Sequence, residues 1–135
     1  MNEPIIQQKF IDLHIHSTAS DGSESPGQIV RMAAELAGKA PFTIALTDHD
    51  STAGHQEFLE AAAAFEGQIT ALPGIEVSTL YKGESVHILG YGISDDQSTP
   101  LNKRMEISRE CRDSRNSRII ALLQKKAEGG RKETE

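Results

Sequence analysis

The stretch FIDLHIH, residues 10–16, alternates apolar and polar residues, and the interpretation of the rest of the chain starts from it. Such alternation is typical of a β-strand with one buried face. The polar face carries Asp12, His14 and His16. Two imidazoles that leave the same face of a strand can reach one metal ion, and a carboxylate such as Asp12 can accept a hydrogen bond from an imidazole. The alternative is a pair of histidines satisfied by hydrogen bonds on an exposed sheet face.

Outward from this strand, short apolar segments alternate with helical patterns. Ser25-Pro26 and Thr99-Pro100 mark helix starts, since serine and threonine cap helices and proline is favoured at the first helical position. Strand–helix crossovers of this length indicate parallel βα units, in which chemistry collects at the carboxyl ends of the strands, so the fold class is α/β. The pattern predicts strands over 10–16, 42–47, 69–72, 76–80 and 85–91, helices over 26–38, 51–65 and 100–127, and a turn at Pro73-Gly74.

Composition limits the classes of protein. The chain has 135 residues, the length of one small domain, and its single cysteine, Cys111, excludes a disulfide scaffold and a cysteine-based zinc finger. No apolar run is long enough to cross a membrane and the N-terminus lacks a signal-peptide pattern, so we expect a cytoplasmic protein with no membrane partner. Residues 1–98 carry a net charge of −10 and residues 99–135 a net charge of +4. The acidic body argues against stable binding to duplex DNA.

Further carboxylates and a third histidine lie at or near other predicted strand ends. Asp48-His49-Asp50 follows the second strand, and Asp50 could either support a metal site or cap the helix after it. Asp21 lies in a Gly-Ser loop, where an ordinary turn residue is the alternative. Glu76 opens an apolar strand, and a lone carboxylate there is costly unless it is paired or bound to metal.

Two more histidines complete the set. His87 lies inside an apolar strand, where a hydrogen-bonded core histidine is the alternative, and His55, on a helix, is interpreted as incidental. Imidazoles mixed with carboxylates suit zinc, manganese or iron. Ligands spread over several strand ends, with a carboxylate able to bridge, predict more than one ion. That arrangement clamps a phosphate and generates hydroxide near neutral pH.

Five short motifs follow one another along the chain: FIDLHIHS (10–17), SDG (20–22), ALTDHD (45–50), PGIEVS (73–78) and VHILGY (86–91). Together they resemble successive motifs of the polymerase and histidinol phosphatase (PHP) family of metal-dependent phosphoesterases. The resemblance covers roughly residues 8–125. Asp21, where other branches carry histidine, resembles the branch that removes phosphate from nucleoside 3′,5′-bisphosphates and trims short RNA from its 5′ end.

This resemblance implies a distorted (β/α)7 barrel, similar to a TIM barrel, of which residues 1–98 form the N-terminal part. Residues 99–127 would be a long helix from a helical insertion, and residues 128–135 a disordered tail. Up to three divalent ions, manganese, zinc or iron, are the implied cofactors. His14, His16 and Glu76 would hold one ion, Glu76 would bridge to a second that His87 also binds, and Asp21 with His49 would hold the third.

The resemblance also implies roles. The catalytic residues would be Glu76, His49 and Asp21. Asp12, Asp48 and Asp50 would contact the ligands without binding metal themselves. The reaction would be hydrolysis of a phosphoester in a nucleotide or short RNA by hydroxide that the metal ions activate. The long helix resembles an insertion that closes over substrate, so its arginines are candidates for phosphate binding, with a solvated helix face as an equal alternative. These arginines are Arg109, Arg112, Arg115 and Arg118.

The family pattern continues with a further histidine and an Asp-x-His pair, whereas no histidine follows His87 in this chain. Three alternatives therefore stay open. The chain could be an incomplete metal-binding module without turnover, a phosphatase of the histidinol-phosphate type, or a protein that acts only when a partner chain supplies the missing half of the barrel. The choice of metal and the exact substrate are also left open by the residues.

Overall fold

A computed structural model of the chain describes residues 9–96 and 98–131. Strands and helices alternate through most of these ranges, and no helix within them combines the length and the apolar character needed to cross a membrane. The elements are β1 (Phe10–Ile15), α1 (Pro26–Ala37), β2 (Phe42–Leu46), α2 (His55–Ala63), β3 (Ile69–Tyr81), β4 (Glu84–Tyr91) and α3 (Pro100–Arg131).

The strands form one sheet in the order β1-β2-β3-β4. β1 pairs with β2, and β2 with β3, in parallel, which confirms the predicted βα units, while β4 returns antiparallel to β3. The sheet is curled into a half-barrel, and one contact demonstrates the curl. The hydroxyl of Tyr91 on β4 donates to the carbonyl of Leu13 on β1 at 2.8 Å, although these strands lie at opposite ends of the order. Side chains from all four strands can therefore converge.

Helices α1 and α2 cover one face of the sheet and bury the core. At the start of α1, the hydroxyl of Ser25 accepts from the backbone N–H of Gln28, and the Gln28 side chain accepts from the N–H of Ser25, so the predicted N-cap is confirmed. Parallel pairing places the carboxyl ends of β1 and β2 beside the middle of β3. The fully buried side chains of the core include Val30, Ile44, Leu46 and Phe58.

The predicted turn at Pro73-Gly74 is wrong, since β3 runs straight through it. Residues up to Pro73 pair with β2, and residues from Gly74 onward pair with β4. The strand therefore changes partners where a turn was expected, and Pro73, which has no N–H to donate, lies at the change. Gly74 is needed there because a Cβ would lie 2.8 Å from the carbonyl oxygen of Gly90.

Two helix boundaries also differ from the prediction. Helix α2 begins at His55, about four residues later than expected, because Asp50 adopts a left-handed backbone with φ of 49° and residues 53–54 form a turn. Helix α3 begins as predicted, with the hydroxyl of Thr99 accepting from the N–H of Asn102, but it continues to Arg131. Of the tail expected to be disordered, residues 128–131 are thus helical, and 132–135 lie outside the described residues.

Candidate metal centre

Five side chains converge around the carboxylate of Glu76. One of its oxygens, Oε2, lies 2.9 Å from His14 Nε2 and 2.7 Å from His16 Nε2. The other, Oε1, lies 2.8 Å from His87 Nδ1. Glu76 itself is 4% exposed. The predicted bridging carboxylate is therefore the centre of the cluster, with imidazoles from β1 and β4 on either side.

His49 and Asp21 complete the cluster on the side of the loop after β1. Asp21 Oδ1 lies 2.8 Å from His16 Nδ1, and Asp21 Oδ2 lies 3.6 Å from His49 Nε2. His49 Nδ1 is 3.6 Å from Glu76 Oε2, and the imidazole of His49 lies against those of His16 and His87, with ring centroids 4.4 and 5.1 Å apart. Of the chain's five histidines, four thus share one site.

Ligand atoms in this cluster lie close enough to hold metal ions. Three groups of three residues each offer ligand atoms within 4.8 Å of one another. His16, His49 and Glu76 each belong to two groups, so the groups overlap and six side chains serve all three. The groups are His14, His16 and Glu76; His16, Asp21 and His49; and His49, Glu76 and His87.

Two buried nitrogens in the cluster have no hydrogen-bond partner. These atoms are His16 Nε2 and His49 Nδ1. Although His16 Nε2 is 2.7 Å from a Glu76 oxygen, the angles are not those of a hydrogen bond. Buried polar atoms in proteins are almost always paired, so unpaired imidazole nitrogens facing a carboxylate call for a further group. A divalent cation fits, because imidazole nitrogens and carboxylate oxygens are its ordinary ligands.

The site also favours the protonation states in which these side chains bind metal. Burial acts to raise the pKa of Glu76, but hydrogen bonds from His14 and His87 and the charge of His49 outweigh it and lower the pKa to about 2. The hydrogen bond from His16 lowers the pKa of Asp21. Burial lowers the pKa of His49, against the opposing charge of Glu76. Near neutral pH the carboxylates are thus ionised and His49 is neutral, as ligation requires.

The low pKa of Glu76 gives a prediction for the metal-free chain. Because the folded value of about 2 lies below the ordinary value of 4.5, ionised Glu76 stabilises the fold above pH 4.5, and this stabilisation is lost as the pH falls toward 2. Glu76→Gln should therefore raise the midpoint of acid unfolding by about one pH unit, measured by circular dichroism in the presence of a chelator. The control is Glu35→Gln, at an exposed position of α1. Equal midpoints for the two variants would contradict the prediction.

Asp48 anchors the loop that carries Asp21. Its side chain is 1% exposed and accepts hydrogen bonds from the backbone N–H and the hydroxyl of Ser17, both at 2.7 Å, and from the hydroxyl of Ser20. Asp21 follows directly after Ser20. Asp48 therefore supports the ligand loop and contacts no imidazole among the described residues.

Asp12 behaves differently from the expectation that it would orient an imidazole. Its carboxylate accepts a hydrogen bond from the backbone N–H of His14 at 3.2 Å, and the residue is exposed. The pairing of β1 with β2 is irregular between Asp12 and Ile15, so the simple alternation of faces is interrupted there. His14 turns toward Glu76, whereas Asp12 stays in solvent.

Asp50 contacts helix α3 and does not cap α2. Its Oδ1 accepts from the N–H of Ser78 at 2.9 Å, and its Oδ2 accepts from Arg112 at 2.6 Å. Arg112 also donates to the hydroxyl of Ser78, and Arg109 donates to the carbonyl of Asp50. Two of the arginines expected to bind phosphate are therefore engaged within the chain.

A groove of about 1080 Å³ separates α3 from the candidate metal cluster. Asp21, His49 and His87 line it on the cluster side. Arg104 and Arg115 line it from α3, and neither forms a hydrogen bond or an ion pair with a described residue. The groove thus has a side rich in metal ligands and a side with unengaged cationic groups.

The spacing of the arginines explains their different positions. A helix turns about 100° per residue, so each step of three residues falls about 60° short of a full turn, and Arg118 points away from the direction of Arg109. Arg118 is absent from the groove lining. Arg104, which the sequence analysis missed, lies eleven residues before Arg115, a spacing of about three turns that puts both on one face. That spacing is the signal that could have identified Arg104.

His55 is buried and has a structural contact. It is 2% exposed, and its Nε2 donates to the carbonyl of Gly74 at 2.7 Å, at the point where β3 changes partners. His55 lies outside the six-residue cluster, and its contact with Gly74 gives it a structural role that the sequence analysis did not predict. Its helical position gave no local signal of this contact, which joins residues nineteen apart.

Fold and site together define an α/β protein whose strand ends gather histidines and carboxylates around one glutamate. The family model for the PHP domain matches residues 12–130. The chain belongs to the PHP domain family, in agreement with the resemblance drawn from its motifs.

Relatives with assigned names include two bacterial phosphoesterases. A 3′,5′-nucleoside bisphosphate phosphatase of Chromobacterium violaceum is 41% identical over 114 residues, which are 84% of this chain and 38% of that protein. The 5′-3′ exoribonuclease Rnm of Escherichia coli is 33% identical over 117 residues, or 87% of this chain and 38% of that protein. The chain therefore spans about two fifths of the length of these relatives.

A solved structure has a similar fold. It is described as a metal-dependent phosphoesterase from Bifidobacterium adolescentis, and it matches with a TM-score of 0.74 and 31% identity. The match covers 91% of this chain and 40% of that one. The α/β arrangement of sheet and helices is thus shared with that structure.

Proposed function

We propose that this chain carries the divalent-metal site of a phosphoric ester hydrolase. The substrates proposed are nucleoside 3′,5′-bisphosphates and the 5′ ends of short RNA, the two classes named for its relatives. One observation carries the proposal: three groups of candidate ligand atoms overlap, and Glu76 belongs to two of them. Adjacent divalent ions suit phosphoester hydrolysis, because they can stabilise both the attacking and the leaving oxygen.

Six side chains limit how the ions are held. Three ions would share these six side chains, so Glu76, which lies in two of the groups, would hold more than one of them. Two of the groups, His14 with His16 and His49 with His87, share Glu76, and the third, His16 with Asp21 and His49, lies beside it. When bound, the ions supply a Lewis acid for the phosphoryl oxygens and lower the pKa of coordinated water. Manganese, zinc and iron all match this ligand set.

The groove supports the choice of a nucleotide with more than one phosphate. One phosphate would lie against the ligand cluster, and Arg104 and Arg115 would bind a second anionic group from α3. Guanidinium groups suit this task because they offer paired donors in the plane that a phosphate accepts. Glu76, His49 and Asp21 hold the reacting end, while the two arginines position the distant end.

The experiment that tests the proposal is phosphate release from adenosine 3′,5′-bisphosphate and from a short 5′-phosphorylated RNA. We expect turnover by the Mn²⁺-loaded chain, loss of turnover with excess chelator, recovery on returning Mn²⁺, and no turnover by Glu76→Gln. Histidinol phosphate serves as the competing substrate. Faster hydrolysis of histidinol phosphate than of either nucleotide substrate would contradict the proposed substrate class.

Arg115→Gln is expected to raise the KM for adenosine 3′,5′-bisphosphate about tenfold with little change in kcat. The reason is that one charge-assisted hydrogen bond to a non-reacting phosphate contributes about 1.5–3 kcal/mol of binding. Steady-state kinetics in Mn²⁺ measure the effect. Lys125→Gln, with the same charge change in the exposed distal part of α3, is the control. A fall in kcat with unchanged KM would contradict the positioning role.

A second candidate function is a metal-binding module that lacks turnover by itself. The observation in its favour is that the match covers only 38% of each named relative. In this case the sheet would be the first part of a distorted (β/α)7 barrel, with further strands supplied by another polypeptide. Metal binding that depends on Glu76 without phosphate release from any of the three substrates would favour this module over the enzyme.

A further inference from the structure

Asp50 joins the segment after β2 that carries His49 to the part of β3 that carries Glu76. The N–H of Asp50 donates to the carbonyl of Glu76 at 3.0 Å, and the N–H of Glu76 donates to the carbonyl of Asp48 at 3.1 Å. His49 and Glu76 thus face one another as an isolated bridge between β2 and β3. Beyond this bridge, the carboxylate of Asp50 accepts from the N–H of Ser78. A shift of Asp50 would therefore move both ligand-bearing segments.

The backbone of Asp50 needs support from its surroundings. Its φ of 49° lies in the left-handed region, which residues with a Cβ rarely adopt. Its side chain is 1% exposed, so its charge also requires a partner. Arg112 supplies that partner at 2.6 Å, and Arg109 satisfies the carbonyl. Both donors come from α3.

The side chains that tie α3 to the sheet region lie on one stripe of the helix. Asn102 accepts from Thr52 and donates to the carbonyls of Ser94 and Asp96, and Met105 is buried. Arg109 and Arg112 continue the stripe at spacings of four and three residues. Positions 102, 105, 109 and 112 share a face because a step of three residues falls short of a full helical turn and a step of four exceeds it. Alternating the two steps therefore keeps the residues on one side of the helix. Arg112 is thus the last of the four α3 residues on this face, and it contacts Asp50 and Ser78.

We propose that Arg112, Asp50 and Ser78 form a clamp that couples the docking of α3 to the position of the metal ligands His49 and Glu76. In this clamp, Arg112 and Asp50 are positioning residues that touch no metal ligand atom. The inference rests on the metal site proposed above, and it assigns to α3 a role beyond lining the groove. Loss of the clamp should weaken metal binding without removing a ligand.

The sign of the effect separates the clamp from simple electrostatics. Arg112→Gln removes a positive charge near a cation site, so the loss of Coulomb repulsion alone predicts tighter binding of Mn²⁺. The clamp predicts weaker binding by about tenfold, since loss of a partner that orients a ligand typically costs about 10- to 100-fold in affinity. Arg112→Lys retains the charge but lacks the fork of donors that reaches both Asp50 and Ser78. It should give an intermediate affinity.

The closing experiment measures Mn²⁺ affinity by titration calorimetry and amide hydrogen exchange in the metal-free chain. We expect Arg112→Gln to bind Mn²⁺ about tenfold more weakly and to exchange faster at residues 48–50 and 100–112. Lys103→Gln, an exposed position of α3 with the same charge change, should match the wild type in both measurements. Asp50→Asn combined with Arg112→Gln should be no weaker than the worse single variant, because the two residues act together.

Distinct outcomes separate failure of the clamp from failure of the site. Unchanged or tighter Mn²⁺ binding by Arg112→Gln, or unchanged exchange at residues 48–50, overturns the clamp while the metal site stands. Absence of Mn²⁺ binding by the wild type overturns the proposed site, and the exchange comparison then decides the clamp alone. If Arg112→Gln does not fold, the same comparisons are made with Arg112→Lys, for which wild-type affinity and exchange overturn the clamp.

Discussion

Glu76→Gln is expected to lower the affinity of the chain for Mn²⁺ by about 100-fold or more. Loss of an outer partner costs about 10- to 100-fold, and Glu76 is a shared anionic ligand that belongs to two of the three donor groups. Its oxygens lie 2.7–2.9 Å from the nitrogens of His14, His16 and His87. Glutamine keeps the size and one oxygen acceptor but removes the charge. Titration calorimetry at neutral pH measures the loss.

A matched control separates ligation from general charge. Glu35→Gln makes the same substitution at an exposed position of α1 and should bind Mn²⁺ like the wild type. Circular dichroism of both variants verifies that the fold is retained. An affinity for Glu76→Gln within about threefold of the control would show that Glu76 is not a ligand and would remove the basis of the proposed site.

Asp48→Ala is expected to lower the free energy of unfolding by about 3 kcal/mol in the metal-free chain. The substitution leaves the N–H and hydroxyl of Ser17 and the hydroxyl of Ser20 without their acceptor, and each buried unsatisfied group costs about 1–3 kcal/mol. Ser17 is fully buried, so water does not readily replace the carboxylate there. Urea unfolding followed by circular dichroism measures the change.

The same substitution should loosen the loop that carries Asp21 and so weaken metal binding through Asp21 and His49. Asp48→Asn retains one acceptor oxygen and is expected to lose less stability than Asp48→Ala. Asp113→Ala, at an exposed position of α3, is the surface control. A loss below about 1 kcal/mol for Asp48→Ala would mean that the loop is held by other contacts.

Local sequence signals predicted most of the fold. The alternation over residues 10–16 and the cap residues Ser25 and Thr99 specified elements that the structure contains. The change of partner by β3 at Pro73-Gly74 was missed because it depends on pairing with the distant strand β4. Taken locally, the proline and glycine predict a turn. Strand pairing is a property of two distant segments, so single-segment signals do not determine it.

The six side chains of the candidate site were identified from residue type and position, but their arrangement was not. The histidines of β1 and β4 reach Glu76 only because the sheet is curled. No local sequence pattern predicts that curl. Asp21 had an ordinary turn as its alternative, and its place beside His16 depends on the buried carboxylate of Asp48. The candidate metal ligands could thus be identified by residue type, whereas their geometry arises from tertiary contacts.

Prediction was weakest for the polar groups around the site. A spacing of three was expected to keep four arginines on a slowly turning stripe, yet over nine residues the drift reaches about half a turn. Arg112 therefore meets Asp50 while Arg118 lies outside the groove. Asp50 was open to interpretation as a helix cap because the predicted helix began at the next residue. In the structure its left-handed backbone delays the start of α2 to His55.

The central claim is that His14, His16, Asp21, His49, Glu76 and His87 hold divalent ions. The most direct measurement is an anomalous difference map from crystals of the chain grown with Mn²⁺. The account predicts at least one peak about 2.0–2.4 Å from a Glu76 oxygen, with an imidazole nitrogen of His14, His16 or His87 at similar distance. Peaks only at other positions, or none under conditions in which Mn²⁺ binds in solution, would contradict it.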